Sequence, residues 1–109
     1  MNDIEEITRE LIKFRDERDW EKFHNPKDLS IAIVAEAAEL VELFLWKSPE
    51  DANIDKVKEE LADVFAYAFL LASVYKLDVK EIVNQKININ ASKYPVEKSK
   101  GTAKKYNEL

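Results

Sequence analysis

The sequence has no cysteine, one glycine, three prolines and one histidine. Without cysteine there is no disulfide and no thiolate metal site, which fits a reducing, cytoplasmic setting. A single histidine, His24, cannot supply the repeated imidazole ligands of a zinc centre, nor the Glu-x-x-His pairs of a di-iron bundle. So few glycines and prolines leave little for the turns between strands. No signal-peptide pattern opens the chain, and the apolar run Phe65–Val74 is too short to span a bilayer. A net charge of −5 argues against nucleic-acid polymers, which demand a basic surface. It leaves room for a small phosphorylated ligand whose charge a metal offsets. What is present, 46% hydrophobic and 36% charged residues in 109, suits one all-α domain of amphipathic helices.

The helices follow from periodicity. Asn2 or Asp3 can cap a first helix with Ile4, Ile7, Leu11 and Phe14 on one face. It weakens near Arg15–Trp20, and Glu21–Asp28 reads as a loop around Pro26. Asp28 can cap a second helix from Leu29 to Trp46, apolar almost throughout. Ser48-Pro49-Glu50-Asp51 carries a helix-start signature. A third helix spans Asn53 to Lys76, with Ile54, Val57, Leu61, Val64, Ala68, Leu71 and Tyr75 as its buried stripe. Asp78 with Glu81 resembles a capping box opening a fourth helix that runs to about Ser92. From Val96 the chain is polar and reads as extended or loosely ordered. Four helices with short loops make a bundle. The second is too apolar for one small bundle to cover, which predicts a homodimer or homotetramer.

Two of these helices carry acids in unexpected places. At about 100° per residue, Glu36 and Glu39 share a flank with Ala32, Leu43 and Trp46. Glu60 and Asp63 lie in line with Tyr67, Leu70 and Val74. Surface acids belong opposite the buried stripe, and an unpaired buried carboxylate is costly. If the helices pack antiparallel, four carboxylates converge and repel one another unless a divalent cation sits among them. Oxygen-only ligands favour Mg2+, with Mn2+ also suitable, over calcium. The competing reading is that both i, i+3 pairs are ordinary helix-surface acids.

Glu36-Ala-Ala-Glu39 followed by Glu60-Leu-Ala-Asp63 resembles the E-x-x-E and E-x-x-D hallmark of the all-α nucleoside triphosphate pyrophosphohydrolases, the MazG-like group. Around it, Arg18-Asp19-Trp20, Phe23-His24-x-Pro26, Glu42-Leu-Phe-x-Trp46 and Lys86-x-x-x-Asn90-x-x-Lys93-Tyr94-Pro95 resemble the dCTP pyrophosphatase branch. The likeness spans about Asp3 to Tyr106. One departure is Leu11, which stands where that branch carries a histidine near the base.

The resemblance implies magnesium-dependent cleavage of a nucleoside triphosphate between its α and β phosphates, giving monophosphate and pyrophosphate. Glu36, Glu39, Glu60 and Asp63 would be the metal-holding and catalytic residues. Either Glu36 or Glu39 would serve mainly as base or water positioner. Trp20 and Trp46 would stack the base, and Tyr67 would press on the sugar and disfavour a 2′-hydroxyl. Lys86, Asn90 and Lys93, on one face of the fourth helix, would meet phosphate. Each has a plainer reading: core or interface for the aromatic residues, a solvated face for the polar ones. His24, in its loop, reads as structural. Two other functions stay open: a non-catalytic helical interaction module with salt-bridged acids, and a nucleotide-binding regulator that does not turn its ligand over.

Overall fold

The computed structural model describes residues 2–109. They form helices α1 (Asp3–Glu17), α2 (Pro26–Glu42), α3 (Ile54–Val74), α4 (Val79–Lys93) and the single turn α5 (Val96–Ser99), with no strand among the described residues. None of these helices is long and apolar enough to cross a membrane. The chain divides into two compact units, one ending at Leu77 and the other spanning Asp78–Leu109.

In the first unit α3 packs against both α2 and α1. Asn2 is the cap of α1, its side chain accepting from the Glu5 N–H at 2.8 Å. α2 begins earlier than the loop reading places it. Asn25 is the cap, accepting from the Asp28 N–H at 2.9 Å, and Pro26 sits in the first turn. Proline loses nothing there, because its missing N–H would have had no helical partner. α2 also stops earlier, at Glu42 rather than Trp46. Phe44 and Lys47 donate their N–H groups back three residues, to Val41 and Phe44, and Trp46 takes a left-handed φ of 60°. The helix-start signature at Ser48 yields only one 3-10 turn, Pro49–Asp51. Asn53 then caps α3 by accepting from Asp55 and Lys56.

α3 ends in a Schellman motif. Lys76 at φ 55° lets its N–H reach the Ser73 carbonyl, and the Leu77 N–H reach Ala72. The stripe expected on α3 is only half-covered, since Ile54, Leu61 and Tyr75 are exposed. The deeper position is Leu70, on the acidic flank. That flank, and not the predicted stripe alone, faces inward.

In the second unit Asp78 caps α4 by accepting from the Glu81 N–H at 2.9 Å. The tail, expected to be extended or loose, carries α5 and a 3-10 turn at Tyr106–Glu108. The Tyr106 ring meets Tyr94 edge-on at 6.1 Å, and the Lys93 ammonium lies 4.9 Å from its centre.

Candidate functional site

Glu36, on α2, and Glu60 and Asp63, on α3, offer carboxylate oxygens all within 4.8 Å of one another. Glu36 and Glu60 are half-buried, while Glu39 and Asp63 are exposed. Glu39 stands at the edge of this cluster. Its carboxylate raises both Glu60 and Glu36, and Asp63 raises Glu36. Asp63, one turn beyond Glu60 on α3, acts on Glu36, one turn before Glu39 on α2, so the two helices run antiparallel, the arrangement under which the four acids are expected to converge.

The crowding has a direct electrostatic consequence. Glu60 is pushed up to about 7, first by a hydrogen bond between its protonated form and Glu39, then by burial and the charges of Glu39 and Glu36. Glu36 is raised as well, chiefly by burial and then by Glu39 and Asp63, with a hydrogen bond to Glu60 working against them. One oxygen of each, Glu36 Oε2 and Glu60 Oε2, is sealed from solvent with no hydrogen-bond partner among the described residues. Such oxygens are costly unless something positive meets them. A hard divalent cation fits this all-oxygen set. The acids present are the ones that would hold it.

Beside Asp63 lies a cleft of about 280 Å3. Leu11, Phe14, Arg15, Trp20 and His24 form one wall; Asp63, Ala66, Tyr67 and Leu70 form the other. The end of α1 places Trp20 there through a second Schellman motif. Asp19 adopts φ 56°, its N–H donates to the Asp16 carbonyl, and the Trp20 N–H donates to Arg15 at 3.1 Å. The indole then meets Phe14 edge-on at 5.9 Å, the apolar contact this motif favours. His24 packs its ring edge-on against Tyr67 at 6.3 Å. Burial and then the charge of Arg15 lower the imidazole pKa, and its Nδ1 is sealed without a partner among the described residues. His24 is therefore a neutral wall of the cleft. Burial raises the Tyr67 phenol, followed by Glu36, Asp63 and Glu39, so it stays protonated and able to donate.

The structure thus brings together the four acids, Trp20 and Tyr67. Trp46 is not among the cleft residues; it is 99% exposed on the loop after α2. Lys86, Asn90 and Lys93 lie exposed on α4 of the second unit, with Lys93 over Tyr106. Sequence reasoning missed Arg15 as a cleft residue. Its spacing of four from Leu11, on the same helix face, was the available signal.

Known proteins match this arrangement. Residues 31–109, which include all four acids, match the MazG-like family. Mouse dCTP pyrophosphatase 1 is 40% identical over 97% of this chain and 67% of its own length. The human protein of the same name is 37% identical over 97% of this chain and 67% of its own. A pyrophosphatase of known structure from Archaeoglobus fulgidus superposes with a TM-score of 0.81 at 37% identity, over 87% of this chain and 94% of that one. An antiparallel helix pair that gathers glutamates and an aspartate beside an aromatic cleft is accounted for by that kinship: the chain belongs to the MazG-like family of all-α nucleoside triphosphate pyrophosphohydrolases.

Proposed function

We propose that the chain hydrolyses deoxynucleoside triphosphates, dCTP foremost, to the monophosphate and pyrophosphate in a magnesium-dependent reaction. The observation that carries this reading is the meeting of Glu36, Glu60 and Asp63 oxygens within 4.8 Å, with Asp63 also lining the cleft that holds Trp20 and Tyr67. The kinship with dCTP pyrophosphatases supports the choice of base. Bound magnesium, with Mn2+ as substitute, would supply charge neutralisation on the phosphates and activation of water. The chain's own residues do the rest. Glu36, Glu60 and Asp63 would hold the cation that fixes where the triphosphate charge sits, and of Glu36 and Glu39 we assign to Glu39, the exposed one, the role of orienting the attacking water and taking its proton. Trp20 stacks the base. The Tyr67 phenol packs against the sugar and crowds a 2′-hydroxyl.

Chromatography of the products tests this reading. With magnesium, dCTP yields dCMP and pyrophosphate, and Tyr67→Ala narrows the preference for deoxy over ribo substrates roughly tenfold. Mainly dCDP and phosphate would place cleavage at the wrong bond. No product from any triphosphate would favour a nucleotide-binding regulator.

The same reading includes self-association, as homodimer or homotetramer. Ile31, Val34, Val41 and Leu45 follow a coiled-coil-like spacing along α2 and its end, and all are exposed, Val34 at 70%. Soluble monomers rarely carry such a continuous apolar face. Light scattering at micromolar concentration is expected to report at least a dimer, and Val34→Asp to shift it to monomer. A wild-type monomer would contradict this.

A further inference from the structure

Arg15 is the one charged residue buried among the described residues, at 9% exposure, and it lines the same cleft as Trp20 and Tyr67. A buried guanidinium carries five N–H donors and is costly to desolvate unless they are met. Here Nε and Nη2 converge on a single oxygen, Asp16 Oδ1, each at 2.9 Å. The Asp16 side chain is itself 50% exposed. Glu21 Oε2 lies 4.0 Å from Nη2, close enough for an ion pair but too far for a hydrogen bond. Nη1 donates to nothing among the described residues. The backbone carbonyl of Arg15 holds the turn that sets Trp20 in place, at 3.1 Å from the Trp20 N–H. The backbones of Arg15 and Trp20 are thus tied to one another.

The position of Arg15 decides what those donors face. In this cleft its neighbours are Leu11, Phe14, Trp20 and His24, and only Asp63 belongs to the acidic cluster; on its other side Arg15 borders a second hollow with Glu21, Lys22 and Asn25. A triphosphate whose charge is met by a cation held at the acids places its base, not its phosphates, among these apolar and aromatic groups. We infer that Arg15 is the residue that discriminates the base: its guanidinium fork donates to two adjacent acceptors on the base edge. Cytosine offers such a pair, ring N3 beside O2. Uracil and thymine carry a hydrogen on N3, which opposes a donor. This inference rests on the nucleotide reading given above and names the residue that sets its base preference.

The test compares dCTP with dUTP on wild type, Arg15→Gln and Arg15→Lys. Lysine keeps the charge and the pairing with Asp16 but lacks the planar fork, and it serves if the glutamine variant does not fold. The ratio of kcat/KM for dCTP over dUTP is expected to fall roughly tenfold or more in the variants, with the loss carried by dCTP. An equal loss on both substrates would make Arg15 a phosphate contact or a structural tie and overturn the inference, as would an unchanged ratio. A second measurement separates this outcome from failure of the nucleotide reading: dCMP and dUMP binding to the metal-free protein, followed by tryptophan fluorescence. If wild type turns over neither triphosphate, the reaction falls. The base inference then stands on a preference for dCMP that Arg15→Lys removes, and falls if wild type shows none.

Discussion

Asp63→Asn and Glu60→Gln are each expected to lower kcat on dCTP by about a hundredfold or more while leaving the helices formed. Both substitutions keep the size of the side chain and remove its charge. Glu60 and Asp63 stand one turn apart on α3 and share the 4.8 Å cluster with Glu36, so either loss opens one side of the site. The effect is expected in kcat more than in KM, because an interaction made mainly in the transition state is the one removed. Stability of the metal-free protein is expected to hold or rise, since one repelling charge has gone. Glu59→Gln provides the control: Glu59 neighbours Glu60 in sequence but is exposed and outside the cluster, and its loss is expected to change turnover by no more than about twofold. Steady-state kinetics with circular dichroism of each variant decides. Full activity in Asp63→Asn would remove that residue from the machinery.

Much of this site is legible because helix geometry is regular. Glu36, Glu39, Glu60 and Asp63 share their flanks with apolar residues at helical spacing, so their convergence follows once α2 and α3 pack antiparallel. α3 and α4 are also read nearly to the residue, because Asn53 and Asp78 cap them with local hydrogen bonds. Local signals misled where two structures suit the same residues. Pro26 breaks a helix in its interior but starts one in its first turn, and only the Asn25 cap distinguishes the two. Leu43-Phe44-Leu45-Trp46 extends the apolar pattern of α2, with nothing local to announce the left-handed Trp46 that ends it. Arg15 eluded the reading for another reason. A charged residue near a helix end reads as solvated, and its burial is set by α3, far away in sequence.

The melting temperature of the protein with and without magnesium, at two pH values and constant ionic strength, tests the claim that these acids form a cation site. Glu60 binds its proton up to about pH 7 in the folded protein, against an ordinary value of 4.5 in an unfolded chain, and Glu36 is shifted in the same direction. The folded state therefore holds more protons than the unfolded one between these values. The contribution of these two groups to the stability of the metal-free protein is fully present below the unfolded value and is lost as pH rises through the folded one. In EDTA the protein is expected to melt lower at pH 8 than at pH 5.5. Magnesium binds the deprotonated carboxylates, so at pH 8 a hundredfold excess over its Kd adds about 2.7 kcal/mol, raising Tm on the order of 10 °C. At pH 5.5 protons compete for the same oxygens and the gain is expected to be smaller. Identical midpoints with and without magnesium at pH 8 would contradict the account.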